Sequence, residues 1–183
     1  FNHKKKIGVV LLGIASLSLL TACHTAQNKN TTNSNSDKLS IVTSFYPVYE
    51  FTKNIVGDEG DVKLLVPAGS EPHDYEPSAK DMTTIRNSDV FVYHNENMET
   101  WVNKSKSSWK KDNPKIIEGT QGLLLLPGTD EEHEHNHGEE GHHHDYDPHT
   151  WLSPKMAIKE VEAIEKQLKK LYPQKAQAFG TNS

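Results

Sequence analysis

Histidine is concentrated in one short, acidic segment of the chain. Seven of the eleven histidines lie in residues 133–149, whose sequence is HEHNHGEEGHHHDYDPH, and Asp130 to Asp147 holds eight carboxylates with no lysine or arginine. Neutral imidazole is the commonest ligand of transition metals, and an unperturbed histidine is mostly neutral at pH 7. The composition predicts that residues 130–147 form a solvated loop that captures metal ions through His133, His135, His137, His142, His143 and His144. The alternative is an acidic linker whose histidines are incidental.

Two other histidines stand in stiffer surroundings. His73 lies in the segment PHDYEP, directly after a predicted strand, and His149 lies in DPHTWLSP, just before a predicted helix. Prolines restrict the backbone on both sides of each histidine, and ligands of open parallel sheets collect beyond the carboxyl ends of the strands. We therefore expect His73 and His149 to meet at that edge of the sheet as two ligands of one metal ion. The alternative is that both are ordinary surface residues.

Acidic residues accompany the histidines outside the loop. Those within residues 71–76 surround His73, and we expect them to be solvated or to orient its imidazole rather than to bind the metal. Glu96 and Glu99 stand beside His94, after the third predicted strand. We interpret them as part of a polar turn and the start of a helix.

The first 22 residues have the order of a lipoprotein signal peptide. A basic region at residues 4–6 precedes an apolar region at residues 7–20, which is short for a membrane span. The ending Leu-Thr-Ala-Cys resembles a bacterial lipobox, so we expect cleavage before Cys23 and acylation of its sulfur. Residues 23–38 are rich in Asn, Ser and Thr and predict a disordered tether. The protein is therefore expected outside the cytoplasm, anchored to the cell membrane through Cys23.

Composition excludes several classes of protein. Cys23 is the only cysteine, so an intrachain disulfide and a thiolate metal site are both excluded. The net charge of −5 includes three lysines of the predicted signal peptide. Without these lysines, 17 basic and 25 acidic residues give a net charge of −8. The eight carboxylates of residues 130–147 are equal in number to this excess of acidic residues. The rest of the sequence is balanced and has no basic patch for nucleic acid. Negative charge is concentrated where a cation would be attracted.

From Leu39 onward, short apolar runs alternate with helical periodicity. Strands are predicted at residues 39–44, 62–66, 90–93 and 115–117. Helices are predicted from Pro47 to Gly57, after a capping box at Ser78–Asp81, over residues 98–109, and from Ser153 to before Pro173, the last with an apolar stripe of Ile158, Val161, Ile164, Leu168 and Leu171. Strands that alternate with helices imply a parallel sheet covered by helices on both faces. We expect one α/β domain over residues 39–183.

Four segments carry a resemblance to a known family. They are SFYPVYEFTKNIVGD (44–58), VPAGSEPHDYEPSAKD (66–81), YHNENMETWV (93–102) and DPHTWLSP (147–154). Together with the lipobox, they resemble the metal-binding lipoproteins of bacterial ABC transporters, the zinc/manganese solute-binding family. The pair PHDYEP and DPHTWLSP is highly specific to that family when it occurs in this order.

The resemblance implies a fold and a set of ligands. Members of the family have two α/β lobes joined by one long helix, with the metal between the lobes. The first lobe gives two ligand histidines, which match His73 and His149, and the second gives a third histidine or a carboxylate plus an acidic residue. A His-rich acidic loop before the second histidine is typical of the zinc-selective branch, so the resemblance favours Zn²⁺ over Mn²⁺. We expect residues 39–183 to be the first lobe, with the linking helix and the second lobe absent from this chain.

The leading functional hypothesis is a receptor that captures extracellular zinc and delivers it to the ABC permease of the same transport system. A manganese receptor and a surface adhesin are the alternatives within the family. A zinc hydrolase is less favoured, because no H-E-x-x-H motif lies on a predicted helix and no Gly-x-Ser-x-Gly motif is present. Metal capture breaks no covalent bond, so we predict that the protein is not an enzyme.

Overall fold

The structure, a computed structural model, describes residues 37–109, 114–123, 125 and 146–183. The predicted signal peptide (1–22), Cys23, most of the predicted tether and the six loop histidines lie outside the described residues. The strands are β1 (Leu39–Thr43), β2 (Gly60–Leu64), β3 (Val90–Tyr93) and β4 (Lys115–Glu118). The helices are α1 (Tyr46–Val56), α2 (Ala79–Arg86), α3 (Trp101–Lys106), α4 (Pro154–Leu171) and α5 (Ala176–Asn182), with short 3₁₀ turns at Gly57–Glu59, Thr150–Leu152 and Pro173–Lys175.

The four strands form one parallel sheet in the order β2-β1-β3-β4. Ile41 in β1 pairs with Val62 on one side and with Val90 on the other, so β1 lies inside the sheet. Because all strands run in the same direction, the loops that follow them emerge at one edge. This arrangement brings the segment after β2 and the turn after β3 to the same end of the molecule.

Helices cover both faces of the sheet, as the sequence predicts. Side chains alternate between the two faces of a strand. Ile41 faces a core that includes α1, α4 and α5, and the adjacent Val42 faces a second core formed with α2 and α3. The capping box predicted at Ser78 is present: the Ser78 hydroxyl accepts a hydrogen bond from the backbone N–H of Asp81, and the Asp81 carboxylate accepts one from the backbone N–H of Ser78. The α/β fold class is confirmed.

Some predicted boundaries are wrong. The strand predicted at residues 62–66 begins at Gly60, which lies so close to β1 that a Cβ there would stand 2.8 Å from the Leu39 carbonyl oxygen. The helix predicted at residues 98–109 is limited to α3, because the Asn95 side chain first forms a turn by accepting from the next backbone N–H groups. Helix α5 was not predicted, since its seven residues bury only Phe179 and show no clear period.

The buried line of α4 also differs from the predicted apolar stripe. Ile158 and Leu171 are 62% and 37% exposed. Glu160, Ile164 and Leu168 are instead fully buried, four residues apart. Ile158 is two residues from Glu160, which places it about 200° around the helix, on the outer side. The helix therefore directs a carboxylate toward the sheet.

No helix among the described residues is both long and apolar enough to cross a bilayer.

Candidate metal centre

His73 and His149 face each other at the carboxyl edge of the sheet. They are 76 positions apart in the sequence, and their Nε2 atoms lie 3.2 Å from each other. The ring centroids are 5.3 Å apart, with an angle of 61° between the ring planes. His73 comes from the loop after β2, and His149 comes from the segment before α4. The structure therefore brings together the two histidines that the sequence singled out.

The distance between these nitrogens suits two ligands of one zinc ion. Zn–N bonds of 2.0–2.1 Å at the tetrahedral angle place two nitrogens about 3.3–3.4 Å apart. The observed 3.2 Å is close to that value. The same distance also allows an N–H···N hydrogen bond, in which one of the two rings donates a proton to the other. The pair can therefore exchange a proton for a cation with little movement of either ring.

Asp147 fixes the orientation and the tautomer of His149. Oδ1 of Asp147 accepts the backbone N–H of His149 at 2.9 Å and lies 2.8 Å from its Nδ1. A carboxylate only accepts, so the proton of the neutral ring is on Nδ1 and the lone pair is on Nε2. This is the arrangement in which an outer carboxylate orients a metal-binding imidazole. The sequence placed Asp147 at the end of a solvated loop; its side chain is exposed, and its contacts with His149 also make it part of the candidate centre.

The backbone around His149 forms a tight turn. The N–H of Thr150 donates to the carbonyl of Pro148 at 2.9 Å. His149 has φ −81° and ψ 41°, so it is the central residue of an inverse γ-turn. The ring leaves the turn beside the indole of Trp151, with centroids 5.3 Å apart. Turn and indole together limit the directions that the imidazole can take.

The loop that carries His73 is attached to the core by Tyr75. Tyr75 is half-buried and packs against both hydrophobic cores. Burial and a hydrogen bond to Asp81 raise the pKa of Tyr75 to about 12, so its hydroxyl stays protonated. Closer to the site, the backbone N–H of His73 donates to the Glu71 carboxylate at 3.3 Å. At the tip of the loop Gly69 has φ +83°, a conformation that favours glycine.

A buried histidine and glutamate support the His149 segment from beneath. His94, directly after β3, has Nδ1 2.6 Å from Oε1 of Glu160 in α4, and neither side chain is exposed to solvent. The other ring nitrogen of His94, Nε2, donates to the carbonyl of Pro148. Burial lowers the pKa of His94, but the hydrogen bond and the charge of Glu160 outweigh burial, so its pKa is raised. The hydroxyl of Thr150 donates to the second oxygen of Glu160 at 3.3 Å.

Glu99 is a second buried carboxylate with a different role. It accepts hydrogen bonds from the Ser44 hydroxyl and from the backbone N–H groups of His94 and Asn95. Burial raises the pKa of Glu99, although the charge of His94 and these donors oppose the rise. Glu99 therefore holds the turn after β3 to the end of β1. The sequence placed it in a polar turn and a helix start and missed this role.

Aromatic side chains surround the inner side of the pair. The Trp151 indole lies edge-on to the rings of Phe45 and His94, with centroids 4.9 Å apart in each case. Beside it, a groove of about 370 Å³ is lined mainly by apolar residues that include Pro72. Within the residues that the structure describes, no group of three or more His, Cys, Asp or Glu side chains is arranged to hold a metal ion. The described centre therefore presents the Nε2 atoms of two imidazoles beside a mainly apolar groove.

Fold and centre together define an α/β lobe that carries two facing imidazoles at the carboxyl edge of a parallel sheet. The family described as zinc-uptake complex component A, periplasmic (ZnuA), matches residues 41–183. The chain belongs to this family, which confirms the resemblance that the four motifs carry.

Two known proteins similar to this chain are named for zinc. The chain is 51% identical, over 180 residues, to the zinc-binding lipoprotein AdcA of Streptococcus pneumoniae, covering 98% of this chain and 34% of that protein. It is 45% identical, over 181 residues, to the high-affinity zinc uptake system protein ZnuA of Bacillus subtilis, covering 98% of this chain and 56% of that protein. The crystal structure of Zn(II)-bound AdcA from S. pneumoniae matches with a TM-score of 0.69 and 52% identity, over 79% of this chain and 29% of that one. The chain thus spans between about a third and just over half of the two proteins' length.

Proposed function

We propose that this chain is the metal-capturing lobe of an extracytoplasmic zinc receptor, with His73 and His149 as zinc ligands through Nε2. The observation that carries the proposal is the 3.2 Å separation of the two Nε2 atoms. It is supported by the Asp147 carboxylate, which leaves the Nε2 lone pair of His149 directed at His73. Both features suit a cation that prefers imidazole nitrogen.

Zinc is favoured over manganese by the chemistry of the donors. Two imidazoles form the described half-site, and six more occur in the segment 130–147. Imidazole suits Zn²⁺, whereas Mn²⁺ suits carboxylate, carbonyl and water oxygens. The similar proteins AdcA and ZnuA are named for zinc. We infer that Zn²⁺ is the cargo.

Two histidines leave a tetrahedral ion with two open positions. In the complete receptor we infer that side chains beyond this chain fill them, and that His133, His135, His137, His142, His143 and His144 capture zinc and raise its concentration near the pair. Binding and release of a cation need no nucleophile or general base. The protein therefore acts as a receptor and not as an enzyme.

The place of action follows from the N-terminal sequence. We infer that residues 1–22 are a signal peptide, that Cys23 carries the lipid, and that residues 23–38 tether the lobe to the membrane. A similar protein, AdcA, is named a lipoprotein. A receptor held at the outer face of the membrane is placed to pass zinc to an ABC permease, which we propose as its partner.

Zinc titration of the 183-residue chain tests the ligand assignment. The six loop histidines are first changed to glutamine, so that only the ordered site is measured; we call this the loop-silent chain. In it, changing both His73 and His149 to Ala is expected to abolish zinc binding, because no ordered imidazole pair is left.

The matched control changes Asp74 and Glu76, exposed acids of the same loop, to Asn and Gln. This variant is expected to retain the affinity of the loop-silent chain. Full affinity after loss of both histidines would refute the assignment. Titration with Mn²⁺ in place of Zn²⁺ tests the choice of metal.

A further inference from the structure

We propose that His94 and Glu160 are positioning residues, which hold the backbone on both sides of His149 so that its Nε2 faces His73 before any metal arrives. The proposal rests on the proposed function, since it concerns the same site. His94 and Glu160 themselves contribute no ligand. Their role is to set the geometry of one.

The first step is the peptide group between Pro148 and His149. Its carbonyl oxygen accepts from Nε2 of His94, and its N–H donates to Asp147 at 2.9 Å. Because the peptide group is planar, hydrogen bonds to both its oxygen and its N–H oppose rotation of the whole plane. His94 and Asp147 together therefore fix the orientation of the peptide group that precedes the Cα atom of His149.

The second step is the residue on the other side of the ligand. The Thr150 hydroxyl donates to Oε2 of Glu160 at 3.3 Å, while Oε1 of the same carboxylate lies 2.6 Å from His94 Nδ1. One carboxylate thus supports Pro148 through His94 and supports Thr150 directly. The two neighbours of His149 are held by a single group from α4.

The third step concerns the chemistry of the pair. The two partners of His94, the Glu160 carboxylate and the Pro148 carbonyl, only accept, so each ring nitrogen donates one hydrogen bond. The doubly protonated ring pairs with Glu160, and both side chains are fully buried. Buried ion pairs cost desolvation, and well-packed apolar residues of similar volume often replace them without loss of stability. Because the fold alone does not require a buried ion pair, the polar pair points to a role in orientation.

The test uses Glu160→Gln in the loop-silent chain. The amide keeps the shape but weakens the acceptor that fixes His94. Loss of a carboxylate that bonds a metal-binding histidine directly typically weakens metal binding about 10- to 100-fold, and Glu160 acts one residue further away, so the effect should be at the low end of that range. We expect a loss of about tenfold in zinc affinity. In the metal-free protein, NMR of the His149 ring is expected to show a shifted or broadened resonance, a readout that needs no metal.

Gly119→Ala is expected to shift the position of the Glu160 carboxylate while Glu160 itself is retained. A Cβ at Gly119 would stand 2.8 Å from Oε1 of Glu160, the far end of a flexible side chain. The fold can accommodate the methyl group by moving that end, so this variant remains informative if Glu160→Gln fails to fold. We expect it to weaken zinc binding and to alter the His149 resonance in the same direction.

The matched control is Glu59→Gln, which alters a carboxylate just before β2, at the opposite end of the sheet from His149. Glu59 accepts from Nζ of Lys175 at 2.6 Å, and among the residues that the structure describes this pair shares no recorded partner with His94 or Glu160. The variant is expected to change the free energy of unfolding slightly and to leave zinc affinity within about twofold, since interactions at distant sites are largely independent.

The outcomes separate the two proposals. Unchanged zinc affinity and an unchanged His149 resonance in both Glu160→Gln and Gly119→Ala would overturn the positioning role, as would an equal loss of affinity in Glu59→Gln. In either case, loss of binding on removal of His73 and His149 would leave the ligand assignment intact. Retained binding in that double variant would overturn the ligand assignment itself, whereas the metal-free resonance still reports on positioning.

Discussion

One carboxylate oxygen of Asp147 contacts both the backbone and the ring of His149. Oδ1 of Asp147 accepts a hydrogen bond from the backbone N–H of His149 at 2.9 Å and lies 2.8 Å from its ring Nδ1. A single carboxylate therefore sets the backbone and the ring of the same residue. The preceding residue, Tyr146, is held as well, because its carbonyl accepts a hydrogen bond from the side chain of Asn97 at 3.0 Å.

Asp147→Ala is expected to weaken zinc binding of the loop-silent chain by about 10- to 100-fold, the typical cost of losing an outer carboxylate on a metal-binding histidine. Asp147→Asn, which keeps the acceptor oxygen but not the charge, is expected to lose less. Calorimetric titration measures both. Equal affinity in Asp147→Ala and in the parent chain would show that the carboxylate has no part in holding the ligand.

The six loop histidines are expected to affect the rate of capture more than the final affinity. Acidic groups and imidazoles raise the local concentration of a cation, which increases the association rate. Stopped-flow mixing at low zinc should give slower binding in the loop-silent chain than in the parent chain. Calorimetry on both chains gives the stoichiometry, which we expect to be lower in the loop-silent chain. Identical on-rates and stoichiometries would exclude a capturing role.

Zinc binding at the ordered site is expected to weaken sharply below about pH 6, because protons compete with metal for imidazole nitrogens. Titrations of the loop-silent chain at several values between about pH 5.5 and 7.5 measure this. Changes in zinc affinity should be accompanied by proton release on binding, detected by repeating the calorimetry in buffers of different ionisation enthalpy. An affinity that is the same across this range would contradict ligation by histidine.

The His94–Glu160 pair predicts how stability depends on pH. Glu160 raises the pKa of His94 above its ordinary value, although burial opposes it. A group whose pKa is raised by folding stabilises the native state fully below its unfolded pKa, about 6.5 for histidine, and this contribution is lost as pH rises through the folded value. Urea unfolding should therefore show that the stability of the parent chain, relative to the double variant His94→Leu/Glu160→Leu in which neither group titrates, falls as pH rises above about 6.5. A difference that stays constant would mean that His94 is not charged in the folded protein.

Local patterns were sufficient to predict the sheet and the meeting of His73 and His149 at its carboxyl edge. β3 was predicted with its correct ends because Val90–Tyr93 is an uninterrupted apolar run. All four residues are buried in the structure. His73 and His149 were found from their proline-flanked motifs. Parallel strands explain why residues so distant in sequence share an edge of the sheet.

The residues that support the ligands could not be predicted in the same way. Glu160 lies in a helix with many charged residues, and its burial depends on His94, which is 66 positions away. A sequence pattern shows the period of a helix but not which polar residue finds a buried partner. The one available sign was that Glu160 falls on the same four-residue line as Ile164 and Leu168. The apolar Ile158 pointed to the wrong side of the helix, since apolar type alone does not establish burial.

The 76-residue separation of His73 and His149 has a consequence for the order of events in folding. A partly folded chain already contains every imidazole, but the pair exists only after β2 has paired with β1 and the segment before α4 has packed on the turn after β3. Formation of the pair therefore requires the native topology. Zinc held by this pair, as proposed, would bind the native state more tightly than the unfolded chain and would raise the free energy of unfolding by mass action.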